Sequence, residues 1–193
     1  MLKFFFVRDA RGRYRFFSSE PAKPPDLKRS KLKEGWELAK KKLMLLPQRT
    51  LRQETAFARS LKLEGPALKV LYSGVREEER INRRFHVFLH QKRSERLITL
   101  IGEAIVLPFT ALTMPIPGPN VVFYALALLI ITHWQSFRGV RAILKKGHDF
   151  DADPCLAEWE AAVKAGAEDR YAEIIGRIEA AHNLQGMRKV LWR

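Results

Sequence analysis

Residues Leu97–Thr132 read LITLIGEAIVLPFTALTMPIPGPNVVFYALALLIIT, and Glu103 is the only charged residue among them. Three prolines and a glycine, Pro115, Pro117, Gly118 and Pro119, remove backbone donors and fix dihedral angles in the middle of the run, so the expectation is helix, sharp turn, helix. From Leu97 to Met114 is about 18 residues, about 27 Å of helix against a hydrocarbon core of about 30 Å. The second arm, from Val121 to Thr132, is shorter. It approaches the same length only with Asn120 and the segment His133-Trp-Gln-Ser-Phe137 added. Two membrane segments and a re-entrant hairpin both fit, as does a buried helical hairpin in a soluble domain.

The flanks carry like charge. Arg83, Arg84, Lys92, Arg93 and Arg96 precede the run, and Arg138, Arg141, Lys145 and Lys146 follow it. Both ends are therefore expected on the cytoplasmic or matrix side, with Arg93, Arg96, Arg138 and Arg141 as a basic flank facing lipid. Trp134 and Phe137 suit a headgroup belt.

At 193 residues and a formal charge of +14 the chain is one ordinary domain with a strong basic bias. The bias sits in residues 1–96, and about the last 45 residues are acidic on balance. Such a surface meets polyanions of any kind. Its continuity with the apolar run favours anionic membrane lipid, and the absence of any zinc-finger or ribonucleoprotein spacing disfavours nucleic acid. Cys155 is the only cysteine, which excludes an intramolecular disulfide and a thiolate cluster built by this chain alone. Phe4-Phe-Phe-Val7 is too short for a signal-peptide core, so no secretory leader is expected.

Around the apolar run, Leu2–Val7 and Tyr14–Phe17 are aromatic-rich strands expected to form a β-hairpin. Pro21, Pro24 and Pro25 mark a linker. Leu32, Trp36, Ala39, Leu43 and Leu46 recur at helical spacing on a basic amphipathic helix ending near Pro47. Residues 50–61 suit a further short helix, and Glu77-Glu-Glu79 opens a helix through Arg96. In the tail, Trp159, Val163, Tyr171, Ile174, Ile175, Ile178 and Leu184 give helices divided at Gly166. The expected fold is mainly α: a β-hairpin at 1–18, a linker at 19–30, a basic helical region at 31–96, a helical membrane hairpin at 97–137 and a helical appendage at 138–193.

A lone carboxylate in an apolar hairpin is costly and marks a functional group by default. Folding the run about Pro117-Gly118 brings Glu103 level with Thr132 and His133, where carboxylate and imidazole can pair across the arms and pass a proton or handle an ion. The alternative is structural, with Glu103 reaching headgroups or Arg96. His86 and His90 have the i, i+4 spacing of two metal ligands but no third, and Asp149-Phe-Asp-Ala-Asp153 lacks the glycine and distal glutamate of a calcium loop, so it is expected to be an acidic turn. No metal, no cofactor and no enzymatic motif is called for.

The block Leu107-Pro108, Pro115-Ile-Pro-Gly-Pro-Asn-Val121, Phe123-Tyr124, His133-Trp134 and Phe137-Arg-Gly139 resembles the mitochondrial K+/H+ exchange-related family. The resemblance extends over about residues 1–147 and implies a membrane role in monovalent cation (K+)/proton exchange; because two short helices cannot surround an aqueous path, the chain is expected to be a component or regulator working as a homo-oligomer or with a larger membrane partner. The acidic tail and lack of an evident leader suggest a bacterial relative in the cytoplasmic membrane rather than the mitochondrial inner membrane. The competing expectation is a membrane-anchored scaffold that binds anionic lipid or an acidic protein without transport.

Overall fold

The structure is a computed structural model that describes residues 2–20, 48–63, 68–111, 121–184 and 186–192. The chain divides into two compact units, one made of Met1–Ser19, Leu63–Phe88 and Lys146–Arg193 and the other of Glu20–Lys62 and Leu89–Lys145.

The first unit is built on a four-stranded sheet in the order β2-β1-β3-β4, from β1 (Leu2–Arg8), β2 (Tyr14–Ser18), β3 (Leu68–Tyr72) and β4 (Asp149–Ala152). β1 and β2 are antiparallel, whereas β3 runs parallel to both β1 and β4. The unbroken run Phe4-Phe-Phe-Val7 has a direct cause: β1 is central and covered on both faces, so neither side-chain set needs to be polar. Phe5, Val7, Phe17 and Leu71 pack on one side against Leu156, Trp159, Ile174 and Ile178 from α4 (Pro154–Ala165) and α5 (Tyr171–His182). On the other side Phe4 and Phe16 meet Phe85 and Phe88 at centroid separations of 5.0 to 6.5 Å. Those two rings come from the opening turns of α2 (Glu78–Ala111). Asp153 caps α4 by accepting from the Leu156 amide at 3.1 Å, Pro154 begins the helix, and Gly166 ends it in the left-handed region.

The second unit, among the described residues, consists of helices: α1 (Gln48–Ser60), the part of α2 beyond Phe88, and α3 (Val121–Lys146). Gly139 of α3 lies against α1 so closely that a Cβ built there would fall 1.8 Å from the Phe57 carbonyl oxygen. The Ser60 hydroxyl ties the same crossing, 2.7 Å from the Phe57 carbonyl and 3.1 Å from that of Gly139.

The mainly α expectation is therefore corrected to a mixed α/β fold. The amino-terminal hairpin is half of a larger sheet, and the acidic segment expected as a turn at 149–153 supplies its edge strand β4 and a helix cap. The helical membrane hairpin is corrected too: no helix among the described residues is long and apolar enough to cross a membrane. α2 spends its first half on charged residues from Glu78 to Arg96, and the apolar part of α3 gives way to His133, Arg138 and Arg141. Most of the expected linker at 19–30, the Trp36 helix and the turn residues Pro115, Pro117, Gly118, Pro119 and Asn120 lie outside the described residues.

Candidate functional site

The second unit leaves an apolar stripe exposed and buries several polar and charged side chains beside its apolar ones. Along α2, Ile98, Ile101, Ile105 and Phe109 recur at three and four residues and point outward, with Ile98 70% and Phe109 65% exposed. Leu97, Val106 and, on α3, Trp134 are exposed as well. The inward stripe of the same stretch of α2 carries Arg96, Glu103 and Thr110. Buried with it in this unit are Gln53, Glu54 and Ser60 of α1 and Thr132, His133 and Ser136 of α3. Apolar residues still contribute to the interior, through Phe57, Leu89, Leu128, Val140 and Ile143.

Among the described residues, two acid–base pairs lie in this interior. His133 Nδ1 and Glu103 Oε1 are 2.7 Å apart, bridging α3 and α2, and each side chain is only 11% exposed. The structure thus brings Glu103 and His133 together. Glu103 Oε2 has no hydrogen-bond partner among the described residues. Two turns earlier on α2, the Arg96 guanidinium pairs with the Glu54 carboxylate, both almost wholly buried. Burial pushes the Glu54 carboxyl above its ordinary range, and Arg96, the Ser136 hydroxyl, His133 and Lys92 pull against that rise. His133 thus touches Glu103 and acts electrostatically on Glu54.

The spacing explains why α2 serves both pairs. Arg96 and Glu103 are seven residues apart, two turns on one helix face, while His133 and Ser136 are i, i+3 on α3. Thr132 does not join the pair; its hydroxyl donates to the Leu128 carbonyl at 2.7 Å, one turn back on its own helix. Chemically these two pairs set two carboxylates against one permanent cation and one titratable imidazole.

The other residues singled out by the sequence pattern fall elsewhere. Arg93, Arg138 and Arg141 are exposed, but Arg96 is turned inward onto Glu54 and is not part of an outward basic flank. His86 and His90 are exposed and belong to no metal-binding group of three or more such residues among those described. Glu54 and Ser136 carry no signal in the sequence. Only the crossing of α1 with α3 brings Ser136 to Glu54, which pairs with Arg96 of α2, and no local motif announces that crossing.

A family profile, Mitochondrial K+-H+ exchange-related, matches residues 28–146, more than half of the chain. The chain belongs to that family. The match includes Glu54, Arg96, Glu103, His133 and Ser136, and it leaves out β1, β2, β4 and the carboxy-terminal helices of the first unit. The family's name carries the link to potassium/proton exchange and to mitochondria. No curated protein and no solved structure matched the chain in the corresponding comparisons.

Proposed function

We propose that the protein is a membrane-surface component or regulator of K+/proton exchange in which the Glu103–His133 pair handles the proton. The observation that carries the proposal is the 2.7 Å contact of these two groups inside the family-matched segment. With His133 protonated the pair is neutral overall. When the proton leaves, Glu103 keeps a buried negative charge and an unused oxygen, Oε2, which favours the return of a proton or the approach of a monovalent cation. Alternation between these two occupants is the elementary logic of exchange.

The apolar exterior supports contact with lipid. A stripe of isoleucines and a phenylalanine facing outward, with exposed Arg93, Arg138 and Arg141 on the same helices, suits shallow seating at the interface of an anionic bilayer. Two helices do not enclose an aqueous path by themselves, so on this reading exchange requires further copies or a larger membrane partner. The second reading, a scaffold bound to anionic lipid without transport, rests on the same exposed stripe.

The test is electroneutral proton flux driven by a potassium gradient, measured in vesicles from cells with the gene deleted and then restored. Restoration of a K+-dependent flux is expected. Equal flux in the two preparations, with the protein shown by immunoblot to be bound to the restored vesicles, leaves the scaffold and removes the exchange role.

A further inference from the structure

The first unit contains a cleft of about 630 Å³ that the exchange reading does not use. Its wall is cationic: Arg8, Arg76, Arg80 and Lys164 line it, around a floor of Tyr14 and Glu160. The floor is built rather than incidental. Glu160 is 1% exposed, and its carboxylate accepts from the Tyr14 hydroxyl, from the Ser73 hydroxyl at 2.5 Å and from the Lys164 ammonium at 3.3 Å. Burial works against its ionised form, but these three donors outweigh burial and hold the carboxyl below its ordinary range. Glu160 is therefore a spent charge, with its oxygens already engaged.

The arginines are held but not neutralised. Arg76 lies over the Tyr14 ring, with its guanidinium carbon 4.0 Å from the centroid, a contact that holds the group in place without cancelling its charge. Arg8 donates from Nε to the Gly12 carbonyl at 3.2 Å, which likewise orients the group without cancelling its charge. Neither arginine has a carboxylate partner among the described residues. The other acid at the cleft, Glu77, is 3.3 Å from Arg80. Counting Lys164 against Glu160 and Arg80 against Glu77 leaves two positive charges, both on planar donors suited to bidentate oxygens.

We propose that this cleft binds a phosphate monoester, with Arg8 and Arg76 holding the dianionic phosphate and the remaining volume taking the group to which it is esterified. Two arginines match the charge of the dianion and its several acceptor oxygens better than they match a single carboxylate. The volume is that of a small-molecule site and exceeds what a bare phosphate needs. A soluble phosphorylated metabolite and the headgroup of phosphatidic acid share this chemistry.

The experiment uses the full chain and two probes: glucose 6-phosphate by titration calorimetry at low salt, and sedimentation with vesicles containing phosphatidic acid against vesicles with the same charge from phosphatidylserine. The variants are Arg76→Gln and Arg8→Gln, with Arg188→Gln as a control, since Arg188 lies over Trp192 and does not line the cleft. Saturable binding of the sugar phosphate, weakened tenfold or more by either cleft variant and unchanged in the control, supports the proposal with a soluble ligand. Selective retention on phosphatidic acid, lost in the same two variants, supports it with a lipid headgroup. Binding of neither probe, or binding that Arg76→Gln and Arg8→Gln leave as in the wild type, overturns it. Unchanged far-UV circular dichroism shows that the variants are folded.

Discussion

Replacing Glu54 by methionine should destabilise the second unit far more than replacing Glu54 and Arg96 together. The Glu54 side chain is 4% exposed and that of Arg96 10%, so the single change strands a guanidinium in the interior. Glu103, two turns on along α2, is about 10 Å further along the axis at 1.5 Å per residue and is already engaged by His133. Removing one partner of a buried pair costs about 3–5 kcal/mol. For a chain of this size that corresponds to a fall in melting temperature of about 6–20 °C if the unit melts with the rest. Glu54→Met/Arg96→Met replaces the pair with apolar volume and is expected within about 1 kcal/mol of the wild type, or above it. Urea denaturation, with hydrogen exchange on the α3 amides to report this unit specifically, measures the four corners of the cycle. The raised carboxyl of Glu54 gives a second sign to check. Because the folded state holds its proton to higher pH than the unfolded chain, this residue's contribution to stability declines as pH rises from about 4.5 through the raised value, and Glu54→Met/Arg96→Met abolishes that decline. A double variant as unstable as the sum of the two singles would refute the reasoning, because it would mean that the two side chains do not act as a pair.

Gly139→Ala places a methyl 1.8 Å from the Phe57 carbonyl oxygen, against backbone that cannot rotate away, and is expected to cost at least about 1–3 kcal/mol; an unchanged urea midpoint would show that α1 does not cross α3 there. In the first unit, burial and the neighbouring His86 lower the pKa of His148, with Asp149 opposing, while its Nε2 lies 3.1 Å from Asn82 Oδ1. Its folded pKa lies below the unfolded value of about 6.5, so stability is full above that pH and falls as acid takes it through the window down to the folded pKa. His148→Phe, packing among Phe85 and Phe150, should flatten this part of the melting-temperature profile, read between about pH 7.5 and 5; a slope identical to the wild type would exclude His148 as its source.

Local patterns were more legible in the sequence than tertiary ones. The aromatic runs at 2–7 and 14–17 announced strands because β-formers are dense there and turn residues separate them, and the arms on either side of the proline-rich segment announced helices by length. The pairing of Glu103 with His133 was legible to within one residue because a hairpin has a counting rule: equal distances from Pro117-Gly118 set 103 against 132, next to His133. What remained hidden depended on partners distant in the chain. Leu68–Tyr72 is five residues long and becomes a strand by adding to β1, and Asp149–Ala152, with two aspartates, has no strand propensity until β3 offers it an edge. Arg96 reads as a flanking charge because it stands in a basic run before the apolar stretch, and its partner Glu54 belongs to a different helix far back in the chain. The apolar run pointed to a membrane hairpin for a related reason. Length and hydropathy are shared by membrane segments and by helices with an exposed apolar stripe, and only the side-chain directions of Ile98, Ile101, Ile105 and Phe109 against Arg96 and Glu103 separate the stripe from the polar interior.

The claim that Glu103 and His133 handle protons in exchange is tested most directly by the pH dependence of potassium-driven proton flux in vesicles carrying wild-type protein or Glu103→Gln, at equal amounts of bound protein. The amide keeps the shape and a hydrogen-bonding oxygen for His133 but has no charge to hold a proton or a cation. The protein-dependent flux is expected to disappear in Glu103→Gln at every pH while lipid binding persists. A variant with the flux and pH profile of the wild type would contradict it.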